Sequence, residues 1–239
     1  MLTRKEKLLR WLYPARCPVC DGLLGRQERL ICRACASDLH FLQEPLCFHC
    51  GKPLSGEEIE YCSDCRRKKH SYDRGFAPFS YRGQMQASMM RFKYGGRAEY
   101  ARFYAAAMEG RGRRLLRQWK PEVLLPVPVH RKRLIRRGYN QAARLAQELS
   151  RLTGIPADCK ALIRRKNTKA QKELNDVERR KNLEQAFALA PGYRPPKCLV
   201  LVDDIYTTGS TVDTLAALLK AAGAEQVYVA CACISPGAS

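Results

Sequence analysis

Apolar positions along the chain change period several times, and each change predicts a different element. Residues 198–202, Cys-Leu-Val-Leu-Val, form a continuous apolar run, the pattern of a parallel strand buried on both faces. Leu215, Leu218, Leu219 and Ala222 then share one face of a helix that Gly223 stops. A second strand over 226–233 completes a strand–loop–helix–strand unit, as in a doubly wound α/β sheet. Upstream, Val123, Leu124 and Leu125 predict another strand, broken by Pro126 and Pro128. From Tyr139 to Leu152 the spacing turns helical, with Ala142, Leu145, Ala146, Leu149 and Leu152 on the core face. Asn140 and Gln141 near its start suit caps or loop anchors.

The first 65 residues lack this periodicity and carry eight of the twelve cysteines, in four CxxC pairs: Cys17/Cys20, Cys32/Cys35, Cys47/Cys50 and Cys62/Cys65. Each cysteine of the first two pairs recurs thirty positions later, so a CxxC–x11–CxxC unit is duplicated. A CxxC turn places two thiolates on one side of a knuckle, and two knuckles complete a four-sulfur shell around zinc. In model peptides such a site supplies about 10–16 kcal/mol of folding energy, which a small loop-rich module needs. Disulfides would require an oxidising compartment, a redox CxxC usually occurs singly, and an iron–sulfur cluster fits the even duplication less well than two zinc ions. Pairing in sequence order puts 17, 20, 32 and 35 in one site and 47, 50, 62 and 65 in the other; a cross-braced pairing uses the same eight sulfurs. His49 and His70 would be substitute ligands, but the complete cysteine set leaves them no vacancy. Gly22, Gly51 and Gly56 suit the turns near the knuckles. Cys159, Cys198, Cys231 and Cys233 lie in apolar, strand-like contexts and read as small core residues.

Composition sharpens this picture through charge. With 43 Lys and Arg against 23 Asp and Glu, the chain carries a formal +20, a field that attracts polyanions. Residues 111–137 hold ten cations and one acid, Glu122, and Arg66, Arg67, Lys68 and Lys69 form another cluster. Tyr81, Phe92 and Tyr94 interleave with Arg82, Arg91 and Lys93, a combination that suits single-stranded nucleic acid. For any one ring, core packing is the plainer explanation. Residues 1–12 interrupt their leucines with basic residues, and no signal-peptide core follows. Leu8, Leu9, Trp11 and Leu12 suggest a short helix over 3–13 that packs on the neighbouring module. The longest apolar run, Val227 to Ile234, is eight residues, where a membrane span needs roughly twenty. The expectation is a soluble, cytoplasmic protein.

The candidate chemistry follows residue 202. Asp203 and Asp204 lead into Thr207, Thr208, Gly209, Ser210 and Thr211 at the start of the helix. Backbone N–H groups at a helix N-terminus attract anions, Gly209 allows close approach, and four hydroxyls add donors. Adjacent carboxylates accept hydrogen bonds from the vicinal hydroxyls of a ribose, directly or through Mg²⁺. The Walker pattern is absent, which argues against a P-loop NTPase. Between the strand at 123 and the helix at 139, Val127, Pro128, Val129 and His130, with Arg131 and Arg133 nearby, offer the backbone donors and cations that pyrophosphate needs.

The segment LVLVDDIYTTGST resembles the signature by which type I phosphoribosyltransferases bind phosphoribosyl pyrophosphate (PRPP). The resemblance implies that Asp203 and Asp204 contact the ribose, that Thr207 to Thr211 hold the 5′-phosphate, and that Val127 to His130 form the pyrophosphate loop. From Cys17 onward the chain is similar to the ComF proteins of bacterial DNA uptake, through the eight cysteines, LLPVPVHRKRLIRRGYNQA at 124–142 and RKNTKAQKELNDVERRKNLEQAF at 165–187. That likeness implies a type I phosphoribosyltransferase-like α/β domain over 71–239 behind a double zinc-ribbon module over 1–70. It makes 164–181, with eight cations and three acids, the flexible loop, with Arg165, Gln171, Arg179 and Asn182 as its candidate site residues. It further implies PRPP with Mg²⁺ as ligand, single-stranded DNA binding, a DNA translocase or helicase partner, and a role in natural transformation. The alternative is an active phosphoribosyltransferase of unknown acceptor. Purine-base transferases often carry an acid where Thr207 stands, so purine salvage is the weaker assignment.

Overall fold

The computed structural model describes residues 14–25, 27–165 and 186–236. The expected helix at 3–13, with Leu8, Leu9, Trp11 and Leu12, and the flexible-loop candidates Gln171, Arg179 and Asn182 lie outside these residues.

The thirty-residue duplication recurs in the backbone. Arg16 bridges Leu23 and Leu46 bridges Pro53. Cys17 N–H bonds Gly22 O and Cys47 N–H bonds Lys52 O, each at 2.7 Å. Short helices α1 (Arg33–Ser37) and α2 (Ser63–Arg67) begin directly after Cys32 and Cys62 and carry Cys35 and Cys65. Each first knuckle turns through a left-handed residue at the matching position, Gly51 at φ 79° and Asp21 at φ 63°. The turn residue of the first ribbon is thus Asp21, not Gly22; Asp tolerates this conformation better than most residues with a Cβ.

The rest is a parallel sheet with helices on both faces. Strands β1 (Arg74–Phe76) and β2 (Phe79–Ser80) both pair with β7 (Gln226–Ile234); β7 pairs with β6 (Cys198–Tyr206), and β6 with β3 (Val123–Pro126). Two expected boundaries shift. Pro126 ends β3 in register with Val202 instead of interrupting it, and β6 runs on past Val202, carrying both acids inside the ladder.

Alternation along β6 builds two cores. Val200 and Val202 pack with Tyr104 and Met108 of α4 (Ala101–Trp119) and Leu145 and Leu149 of α6 (Gln141–Thr153). Leu199 and Leu201 pack with Leu215 and Leu219 of α7 (Ser210–Ala221). The first core also takes in Cys17 and Val19, the second Cys47, Cys50 and Tyr72, so each ribbon contributes to a different core. Helix α3 (Gly83–Tyr94) follows β2, and α5 (Arg131–Arg137) follows β3; β4 (Leu162–Arg164) and β5 (Phe187–Leu189) form a separate antiparallel pair.

Three core assignments are corrected. Leu152 is 52% exposed in the last turn of α6, beside its stop at Gly154. Cys159 is exposed, and Cys198 is half-buried with its thiol on Trp119 O at 3.1 Å. Cys231 and Cys233 are buried as expected, and so is Phe92, which makes it a core ring. Among the described residues no helix is long and apolar enough to cross a membrane.

Candidate functional site

Two groups of four cysteines converge, 17/20/32/35 and 47/50/62/65, with all sulfurs of a group within 4.8 Å of one another. Sulfurs 2.3 Å from a tetrahedral zinc lie about 3.8 Å apart; Cys20–Cys32 and Cys50–Cys62 measure 3.8 and 3.7 Å. The donor sets therefore fit zinc, paired in sequence order. His49 and His70 are not ligands: His49 stacks on His70, and His70 Nδ1 lies 2.7 Å from Asp213 Oδ2.

The loops that follow β2, β3 and β6 open at the C-terminal edge of the sheet, where ligands of α/β folds bind. Asp203 and Asp204 lie on β6 near that edge. Successive strand residues face opposite sides, and the two acids have different surroundings. Lys93 of α3 reaches Asp204, Nζ to Oδ1 at 2.8 Å, with both side chains largely buried. Asp203 accepts the Asp204 N–H at 2.8 Å. Burial and the neighbouring Asp204 charge raise the Asp203 carboxyl to about 7, against the opposing pull of Lys93 and Arg164. Arg164, at the end of β4, is itself pushed down by burial and the nearby Arg133 charge, while Asp203 holds it up.

Beyond the acids, Thr207 and Thr208 are exposed, and Gly209 turns into α7 at φ 76°. A Cβ at Gly209 would collide with the Tyr206 hydroxyl, so only glycine fits that turn. Thr208 Oγ1 and Ser210 Oγ lie 2.9 Å apart, and Thr211 is half-buried in the first turn. Amides and hydroxyls at this end of α7 fit a phosphate. Val127 follows β3 beside this edge, its N–H on Val202 O at 2.9 Å and its carbonyl taking Asn140 Nδ2 at 3.1 Å. Asn140 caps α6, as anticipated. Pro128, Val129 and His130 are half-buried; the His130 side chain caps α5 by accepting the Lys132 N–H. Arg165 is exposed, with its N–H on Ala186 O.

Helix α5 makes a basic surface next to this edge. Arg131, Lys132, Arg133 and Arg136 are exposed, and none of its five cations forms an ion pair among the described residues. Elsewhere cations are matched, as in Arg113–Glu109, Arg151–Glu148 and Lys220–Asp73. Tyr94, 49% exposed, bonds Arg137 Nη2 at 2.8 Å, and the Arg136 and Arg137 guanidiniums lie 5.2 and 4.7 Å from its ring centre. Ile135 projects from the same helix at 73% exposure.

Lys93, Arg164 and Asp213 enter the site's description only through the structure. The cation beside each acid is remote in sequence, and nothing local marks it.

Residues 8–66 match the double zinc ribbon domain, and residues 116–238 match the phosphoribosyl transferase domain. Competence protein F of Haemophilus influenzae is 33% identical over 221 residues, covering 90% of this chain and 94% of that protein. The chain belongs to the ComF family. Two further relatives agree with that membership. The DNA utilization protein YhgH of Escherichia coli is 30% identical across 92% of this chain and 97% of its own length. The competence protein ComFC of Bacillus subtilis is 29% identical, covering 84% of this chain and 82% of its own length. As a ComF protein the chain combines a parallel sheet of phosphoribosyltransferase type with two structural zinc sites.

Proposed function

We propose that the protein binds PRPP with Mg²⁺ at the C-terminal edge of its sheet and acts, in the cytoplasm, in DNA uptake and natural transformation, holding single-stranded DNA on a separate basic surface. The observation that carries the ligand reading is the acid pair running directly into a glycine-turned, hydroxyl-rich helix start. The ribose hydroxyls would donate to Asp203 and Asp204, the 5′-phosphate would take the amides and hydroxyls of Thr207 to Thr211, and the pyrophosphate would lie against Val127 to His130. Arg165 and the expected flexible loop, with Gln171, Arg179 and Asn182, would cover it. Mg²⁺ would supply charge neutralisation to the pyrophosphate. The boundary near residue 70 would separate the zinc-ribbon module from this domain. The relatives named for competence and DNA utilization support the biological role; a DNA translocase or helicase would be its partner.

The exposed cations of α5, which form no ion pair among the described residues, and the half-exposed Tyr94 support the DNA reading, since phosphates release counterions on such a surface and bases stack on its planar groups. A second reading is a working phosphoribosyltransferase. It would proceed by departure of pyrophosphate from an oxocarbenium-like ribosyl centre, with the loop and cations stabilising the leaving group. Thr207, exposed at the mouth of the site, has no acid to manage a proton on a nucleobase, which favours binding over purine salvage.

The double variant Asp203→Asn/Asp204→Asn separates the two surfaces. It should lose PRPP binding while its affinity for single-stranded DNA, read by fluorescence anisotropy, stays within about twofold of the wild type and falls steeply with salt. Equal loss of both ligands in a folded variant, or a flat salt response, would overturn the two-surface reading.

A further inference from the structure

The loop over 207–211 is gripped at both ends by the second zinc ribbon and the segment that leaves it. In front of the loop, the Tyr206 hydroxyl bonds the Tyr72 hydroxyl at 2.8 Å in a buried position. The same Tyr206 hydroxyl fills the space against Gly209. Lys52 Nζ lies 5.9 Å from the Tyr206 ring centre and bonds Asp64 Oδ2 at 2.7 Å, and Asp64 stands between the ligands Cys62 and Cys65. Behind the loop, Asp213 sits buried in the first turn of α7. Its carboxylate takes the Ser71 N–H at 3.0 Å, His70 Nδ1 at 2.7 Å and the Lys68 ammonium. His70 in turn stacks at 5.1 Å on His49, which stands between Cys47 and Cys50.

Two short routes of contact therefore join the second sulfur cluster to the two flanks of the loop. One runs through Asp64 and Lys52 to Tyr206, the other through His49 and His70 to Asp213. The first ribbon also docks through a carboxylate. Asp21 takes Arg97 at 3.2 Å and the Tyr100 hydroxyl, both in the connection between α3 and α4. Both ribbons are thus fastened to the sheet domain, and among the described residues the contacts to the two ends of the phosphate loop come from the second ribbon and the segment that leaves it.

We propose that the second ribbon is a positioning device for the phosphate loop, with Asp213 and Tyr72 as its positioning residues. A helix start binds an anion best when its amides already converge, because ordering a loose loop on binding detracts from affinity. Tyr206 and Asp213 fix the two ends of a turn of only six intervening residues. The metal at Cys47, Cys50, Cys62 and Cys65 then sets the loop's geometry, whereas the metal at the first cluster does not. The ligand side of this inference rests on the PRPP reading above; the loop-ordering side does not.

The test uses the full zinc-loaded chain and three variants, Asp213→Asn, Tyr72→Phe and Asp21→Asn, the last as the matched clamp of the other ribbon. Amide hydrogen exchange over 207–211 reads the order of the loop, and calorimetry with PRPP and Mg²⁺ reads its use. Asp213→Asn and Tyr72→Phe should each speed exchange in that segment by about tenfold and weaken PRPP by a similar factor. Zinc content and melting temperature should stay near the wild type, and Asp21→Asn should change neither readout. Exchange and affinity within twofold of the wild type in both loop-clamp variants, or an equal effect of Asp21→Asn, would overturn the proposal. Should Asp213→Asn lose zinc or fail to fold, Tyr72→Phe, which deletes one buried hydroxyl, decides alone. A wild type that binds no PRPP would remove the ligand reading and leave the exchange comparison to decide the clamp.

Discussion

Asp203 is held in a setting that disfavours its charge. Burial and the adjoining Asp204 raise its carboxyl to about 7, while Lys93, bound to Asp204, and Arg164 oppose the shift without cancelling it. The folded chain therefore holds this proton more tightly than the unfolded chain. Between the ordinary carboxylate range and about 7 the native state binds more protons, so Asp203 makes stability fall as pH rises through that window. Replacing Asp203 with Asn removes this dependence. The melting temperature of Asp203→Asn relative to the wild type should climb between pH 5 and pH 8 by roughly 5–10 °C, the equivalent of about 2–3 kcal/mol in a chain this long. Thermal melts at four pH values check this, and a gap that does not change with pH would contradict it.

At the scale of elements, much of the sheet was legible because its signals are local. The run at 198–202 and the helical spacing from 215 both became the elements they foretell. The end of β6 was not legible, because backbone pairing continues where apolar side chains stop: Asp203, Ile205 and Tyr206 stay in register with Cys231, Cys233 and Ile234. Lys93 escaped for a different reason. Its partner is brought by α3 folding back over the sheet edge, and no sequence spacing encodes that approach. The cysteine duplication carried both sulfur clusters and the turn at Gly51, but not the turn of the first ribbon, which falls on Asp21 where the expectation was Gly22. Gly112, in the middle of α4, was also silent. A Cβ there would fall within the Phe76 ring of β1, so the glycine sets how closely α4 packs on the sheet. Its φ is not in the left-handed region, and the constraint is one of space alone. Gly112→Ala should destabilise the chain by about 1–3 kcal/mol in denaturant unfolding, despite the better helix propensity of alanine; a neutral or stabilised variant would mean that Phe76 moves aside freely.

The whole molecule is organised around one sheet with a different ribbon built into the core on each face. The acid pair, the glycine-turned loop and the exposed cations of α5 gather toward one edge, and the second ribbon and the segment after it contact the two ends of the same loop. The 43 cations behind the net +20 are not evenly placed: several pair with acids, while those of α5 form no ion pair among the described residues. On the proposed function, this arrangement would join a small-ligand site and a polyanion surface without making them one. The measurement that bears most directly on it is a calorimetric titration of the zinc-loaded chain with PRPP and Mg²⁺, alongside Asp203→Asn/Asp204→Asn. Saturable binding of about one PRPP per chain, absent from the variant, is the expected result. No heat from a folded wild type carrying its zinc, or the same heat from the variant, would contradict a PRPP site at the acid pair.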